Sequence, residues 1–302
     1  MSNRRAELVT MSPSKKPELT HLGYQAGHAH DRAGVPVNES AFRAICRHIV
    51  RSQLRALRGI RFQIFQGKPG VGKSEALRIT CSRLGVPLIM VAAAELSGET
   101  EGASVEVMRH LELVGRTYAE RDNAVPVFCF EDFDTSIVAR RPGVEYTVNS
   151  QLLESYFQFI ADTDGFTTST GERMPIFMTG NDFSDMRSPL LRPGRAEFFT
   201  FAPNLEEKTA IVASMFPGAD DKAIKALVKA HANEPVAFFH GLQVGLLNDT
   251  IDALMASHRF DITAVVGALT EHRPVIDMAQ VKLLAAQAAT AKAGSFLNLG
   301  GA

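Results

Sequence analysis

The chain is expected to be an α/β protein: a parallel β-sheet covered by helices on both faces, followed by a smaller all-helical domain. Three observations predict this. Between residues 61 and 203, short apolar runs alternate with helix-length segments, the pattern of parallel strands joined by crossover helices. After about Asn204 the strand signals stop and only helical periodicity continues. The first apolar run also leads into a glycine-rich turn, GKPGVGKS at 67–74, that opens a helix.

In chain order, residues 1–34 are polar and interrupted by Gly and Pro, so a flexible N-terminal arm is expected there. His28-Ala-His30 has no cysteine or acidic partner at ligand spacing and reads as solvated loop. From Asn38 the pattern is helical. Phe42, Ile45, Ile49 and Leu57 fall on one face, and Asn38 or Ser40 suits the N-cap. Arg43, Arg47, Arg51 and Arg55 form a stripe that is either a solvated or subunit-contacting face, or a contact for nucleic acid. Strands are expected at RFQIFQ, VPLIMVAA, VPVFCFED, MPIFMTGND and EFFTFAP, with helices over Lys73–Leu84, Ser104–Arg121 and Val148–Ala161 between them. Helices over Glu206–Phe216, Asp221–Ala232, Val236–His258 and Met278–Lys292 complete a segment spanning 204–293. A flexible tail is expected over 294–302.

Composition narrows the classes. The 302 residues suit one large domain or two ordinary ones, and the 45% of hydrophobic residues supply a core. A formal net charge of −1 argues against polyanion binding by bulk charge. Cys46, Cys81 and Cys129 have no paired spacing, which suits buried thiols in a reducing compartment. No apolar stretch approaches the roughly 18 residues of a membrane span. The N-terminus shows neither a signal core nor a transit peptide, so a cytoplasmic protein is expected.

The chemistry concentrates in four places. Gly67 to Ser74 fits G-x-x-x-x-G-K-[ST] completely. Gly67, Gly70 and Gly72 let the backbone close around a phosphate, with Pro69 and Val71 between them. The helix starting at Lys73 adds its positive end, and Glu75 lies in its first turn. Lys73 is expected on the β- and γ-phosphates and Ser74 on magnesium. The third strand ends in Glu131, Asp132 and Asp134. Acids at the carboxyl end of a parallel strand stand where ligands collect in open α/β sheets. Glu131 is assigned to magnesium and Asp132 to activation of the attacking water; the order of the two is the reverse of the common Asp-Glu pair. Asn181 ends the fourth strand and would contact the γ-phosphate and orient the water, although Asn there also serves as a turn former. Arg192 and Arg195 flank a Pro-Gly turn and offer a cationic fork to a phosphate, most usefully in a neighbouring copy's site.

Together the loop, the acidic strand, Asn181 and PLLRPGR resemble an AAA+ ATPase. TGNDFS at 179–184, PLLRPGRAEFF, EYTVNSQL at 145–152, PLIMVAAAEL with SGETEG, FFHGL and HRPVIDMAQVKLL look more narrowly like rubisco activase. The resemblance implies residues 35–203 as an ATP- and Mg2+-binding module, 204–293 as a helical lid, and a homo-oligomeric, hexameric ring remodelling a protein client, rubisco being possible. Asn181 would be the sensor and Arg192 and Arg195 the trans-acting pair. Where the family's lid carries an arginine, this sequence offers Gln243.

Two loops would face the ring's pore. Leu96, Ser97 and Gly98 begin the first, which lacks an aromatic residue and so suggests a weak grip. The second brings Arg140, Arg141 and Tyr146. Its arginines would meet an acidic peptide or a nucleic-acid backbone, or pair with Glu99 or Glu101 of a neighbour. A nucleic-acid-binding ring, or a slow nucleotide-switched scaffold, is the alternative.

Overall fold

The computed structural model describes residues 7–9, 21–23, 35–54, 60–92, 96, 102–136, 148–163, 165–184, 190, 192–271 and 276–297. The chain divides into two compact units between Ala202 and Pro203.

The first unit is built on a seven-stranded sheet. Five parallel strands form its body: β3 (Phe62–Gln66), β4 (Leu88–Ala92), β5 (Val127–Glu131), β6 (Ile176–Gly180) and β7 (Ala196–Thr200). They lie in the order β4-β5-β6-β3-β7. Two short strands extend the β4 edge. β1 (Glu7–Val9) pairs parallel with β4, and β2 (His21–Gly23) pairs antiparallel with β1. This corrects the expectation of a flexible arm over 1–34 at those two places. An open strand edge presents unpaired N–H and C=O groups, and a short extended segment satisfies them.

Side-chain alternation explains why both faces are covered. Ile64, Val91, Phe130 and Met178 point to one core, shared with α3 (Ala103–Asp122) and α5 (Val148–Asp162). Phe65, Met90, Cys129 and Phe177 point to the other, under α1 (Glu39–Gln53) and α2 (Lys73–Leu84). Strands buried on both faces read as continuous apolar runs, which is how they appear in the sequence. α3 lies close on the sheet at Gly115, where a Cβ would stand 2.4 Å from Met174 Sδ. α4 (Phe133–Ser136) follows β5 directly. Asn38 caps α1, its Oδ1 accepting from Ala41 N at 2.9 Å and also from the Ser40 hydroxyl. All three cysteines are free thiols, and burial raises the pKa of each.

The second unit contains only helices among its described residues: α6 (Leu205–Met215), α7 (Asp221–Ala230), α8 (Val236–Ser257), α9 (Ile262–Glu271) and α10 (Met278–Leu297). Asn204 and Glu207 form a reciprocal capping box at the start of α6. Val212, Leu227, Phe239 and Val281 share a separate core. Two expectations are corrected here. α9 was not foreseen, because ITAVVGALTE is short, apolar and β-branched and has no clear helical stripe. The last helix continues to Leu297, through residues expected to be tail.

Candidate nucleotide site

Strand register assembles the site. Gln66 of β3 pairs with Gly180 of β6, so Gly67 and Asn181 leave the sheet side by side. Phe130 pairs with Met178, which brings the end of β5 to the same level. The phosphate-loop motif, the acids of β5 and Asn181 therefore share the carboxyl ends of adjacent parallel strands.

The loop itself requires glycine. Gly67 has φ 154°, and a Cβ there would meet the Phe201 carbonyl oxygen at 2.5 Å. Gly72 has φ 98° and caps α2 in the left-handed region. Pro69 and Gly70 are exposed, Val71 is anchored in the core, and Glu75 lies 3.7 Å from Arg78. The Lys73 ammonium is buried and donates to Gly67 O at 2.8 Å, Lys68 O at 3.1 Å and Asn181 Oδ1 at 3.0 Å. Burial lowers its pKa, and the Asp134 and Asp132 carboxylates oppose that shift. All three of its acceptors are neutral. A phosphate oxygen is anionic, so it would add attraction between opposite charges to the charge-assisted hydrogen bonds that the ammonium makes.

The acids of β5 differ in setting. Glu131 is half-buried, and Arg78 Nη2 donates to both of its oxygens at 3.1 Å. Asp132 is exposed and has φ 51°. That turn sends Phe133 into the core and aims Asp134 back at β6. Asp134 Oδ2 accepts from Asn181 N at 2.7 Å and Asp182 N at 3.0 Å. Ser74 Oγ lies 3.5 Å from the buried Thr179 Oγ1. The residues fit Mg2+ by donor type: Ser74, Thr179 and Glu131 all offer hard oxygens. Among the described residues no group of three His, Cys, Asp or Glu side chains is placed to hold a metal ion by itself. Magnesium on a nucleotide needs none, because phosphates and water supply most of its ligands.

Arg78, Thr179 and Asp134 had no role assigned from sequence. Asp134 was visible as a third acid after the strand. Thr179 was legible as the polar residue on β6's otherwise apolar Phe177 face. Arg78 carried no signal, because a surface-type arginine on a helix is ordinary.

Arg192 and Arg195 lie at the other end of the sheet. Arg195 O accepts from Arg61 N and Phe62 N, where β3 begins, at 2.8 and 2.9 Å. The five residues of β3, roughly 16 Å of strand, separate that point from the phosphate loop. Arg195 Nη2 donates to Asp162 at 2.5 Å, and Arg192 is exposed.

The expected client-facing role of Leu96 is corrected. Its side chain is fully buried in the core beneath α3 and α5, where apolar surface is drawn out of water. Ser97, Gly98, Arg140, Arg141 and Tyr146 lie outside the described residues, as does Arg55. Arg43 donates to Glu39 at 3.0 Å and Arg51 pairs with Glu197, so two members of the arginine stripe already face carboxylates. A nucleic-acid reading is not favoured. In the second unit, Gln243 Nε2 donates to Met215 O at 2.8 Å and closes the end of α6. Among the described residues no helix is long and apolar enough to cross a membrane.

Residues 63–204 match the model of the ATPase family associated with various cellular activities (AAA). Curated relatives include the ribulose bisphosphate carboxylase/oxygenase activase of Anabaena sp., 28% identical over 68% of this chain and 52% of the relative. The chloroplastic activase of Phaseolus vulgaris is 28% identical over 61% of this chain and 44% of its own length. Activase B of Hordeum vulgare, also chloroplastic, is 30% identical over 61% and 45%. The chain thus spans about half the length of the relatives it matches. Glycine loop, acidic strand end, Asn181 and the family match agree: residues 63–204 form an AAA+ ATPase module similar to that of rubisco activases.

Proposed function

We propose that this chain hydrolyses Mg-ATP as one subunit of a ring, six copies being the expected number, and uses the cycle to remodel a protein client. The observation that carries the reading is the position of Lys73, buried between the glycine loop and Asn181 at the carboxyl ends of β3 and β6. The glycine loop and Lys73 would hold the phosphates. Ser74 and Glu131 would hold magnesium, with Thr179 beside them, and the ion would offset phosphate charge. Asp132, exposed at the strand end, would take the proton of the attacking water, and Asn181 would orient that water.

The distance of Arg195 from its own phosphate loop supports a role in trans. A strand length apart, the two meet only across a pair of copies. Arg192 and Arg195 of one copy would then face the γ-phosphate held by the next. The likeness to rubisco activases makes rubisco the first client to test. Three free thiols suit a reducing compartment, for which the cytoplasm is the simplest choice.

The test uses two variants. Arg195→Ala should bind ATP normally and lose about 10³-fold in turnover. Asp132→Asn should also be inactive. Mixing them should restore turnover, because some junctions combine an intact Asp132 with an intact Arg195. A mixture as inactive as its parts refutes the shared site. The Asp132→Asn form, held with ATP, should retain the client in a pull-down.

A further inference from the structure

Asp134 has no part in the chemistry described so far, yet it is tied to the sensor segment more closely than either neighbouring acid. The first two amides beyond β6 are those of Asn181 and Asp182, and both donate to the same oxygen, Asp134 Oδ2, at 2.7 and 3.0 Å. The other oxygen, Oδ1, is buried and accepts no hydrogen bond among the described residues. It lies over Gly180: a Cβ there would stand 2.6 Å from Oδ1, 2.7 Å from Cγ and 2.7 Å from the Phe183 ring. The carboxylate is therefore wedged against the bare backbone of β6 on one side and bonded to its next two amides on the other. The left-handed turn at Asp132 makes this possible, since it swings Asp134 inward and leaves Asp132 facing solvent. At the far side of the same backbone, Asn181 Oδ1 meets Lys73 Nζ at 3.0 Å.

We infer that Asp134 is a positioning residue for Asn181, and that Gly180 provides the space it needs. Asp134 fixes the backbone at 181 and 182, and that backbone sets where the Asn181 amide points relative to Lys73. The coupling makes a prediction about substrate handling: ground-state binding, which rests on the glycine loop and Lys73, should be insensitive to Asp134, whereas turnover, which needs the Asn181 amide in place, should depend on it. The inference rests on the ATPase reading of the site.

Full-length Asp134→Ala, Asp134→Asn, Gly180→Ala, Asn181→Ala and the double variant Asp134→Ala/Asn181→Ala test it. Amide hydrogen exchange at 181–182 is one readout, and turnover measured against binding of a fluorescent ATP analogue is the other. Asp134→Ala should exchange faster at 181–182 with the β6 amides unchanged. It should lose about tenfold or more in kcat and keep nucleotide affinity within about threefold. Asp134→Asn, whose carbonyl still accepts from both amides, should recover most of this. Gly180→Ala should reproduce the loss by displacing the carboxylate. The double variant should be no worse than Asn181→Ala alone, the signature of residues acting through one another. Additive losses, affinity falling in step with kcat, or unchanged exchange would overturn the inference. If Asp134→Ala does not fold, Asp134→Asn and Gly180→Ala give the same comparison. If the wild-type protein proves not to hydrolyse ATP, the functional reading fails, and the exchange measurement still decides whether Asp134 clamps the segment.

Discussion

The two ends of strand β3 carry opposite chemistry. At its carboxyl end, a buried cation, Lys73, donates to Asn181 Oδ1 on a backbone opened by glycine, while Glu131 pairs with Arg78, Asp132 faces solvent and Asp134 accepts from the amides of Asn181 and Asp182. At its amino end, cations gather: Arg61 is buried and donates to Met174 O, Gly165 O and Phe166 O, Arg51 pairs with Glu197, and Arg195 pairs with Asp162. His48 sits among them, with Nε2 3.0 Å from Ile176 O, and is held neutral. The contrast teaches how one sheet can both receive a charged ligand and present charge to a neighbour. The carboxyl end keeps an ammonium facing the loop and Asn181. The amino end spends Arg61 on backbone carbonyls and Arg51 and Arg195 on carboxylates, and keeps Arg192 exposed.

The largest expected effect breaks the carboxyl end. Lys73→Ala removes its only buried ammonium, and ATP affinity should fall about 100-fold or more, beyond detection in ordinary titrations. Calorimetry showing undiminished binding would refute the phosphate-cradle assignment. At the amino end, Arg61→Met should leave nucleotide affinity alone and lower the stability of the first unit by about 3 kcal/mol, because three carbonyls lose a charged donor. A denaturation midpoint unmoved by this change would mean that the amino end is not held together by Arg61.

A smaller effect sharpens the contrast through pH. Burial chiefly, with Arg61 and Arg51 assisting, lowers the His48 pKa from 6.5 to about 3. The unfolded chain therefore takes up a proton below about pH 6.5 that the folded chain refuses. Stability should be fully present above that pH and fall as pH drops toward 3, by about 2 kcal/mol between pH 6.5 and 5 from this group. In His48→Leu the dependence should flatten over that window. Equal slopes in urea titrations of the two proteins would remove His48 from the account.

Much of this was legible in residue order, for reasons that can be named. The phosphate loop is contiguous, so its glycines, Lys73 and Ser74 needed no partner to be recognised. Lys73–Leu84 was read to the residue because the left-handed Gly72 and Gly85 bracket the helix. The five parallel strands were legible as apolar runs, but their ends were not: EFFTFAP runs on to Pro203, whereas β7 stops at Thr200. Asp134 was seen but not understood: its role depends on Gly180, 46 positions later, having no side chain. Arg78 and Glu131 are likewise joined only by the stacking of α2 on β5. Leu96 looked like a loop tip from its glycine-rich neighbours, and the fold instead turned it into the core. β1 and β2 were missed because three-residue strands carry too little periodicity, and an open edge selects them.

The sequence by itself determined that a nucleotide-binding loop opens a helix after a buried strand, that acids end another strand, and that helices alone follow Asn204. These are local matters, settled by backbone freedom at glycine, by side-chain period and by caps. Only the tertiary structure decided which polar groups meet: Lys73 with Asn181, Glu131 with Arg78, Asp134 with the amides beyond Gly180. Register and strand order set those meetings, because a parallel sheet brings together residues distant in sequence that happen to leave their strands at the same level.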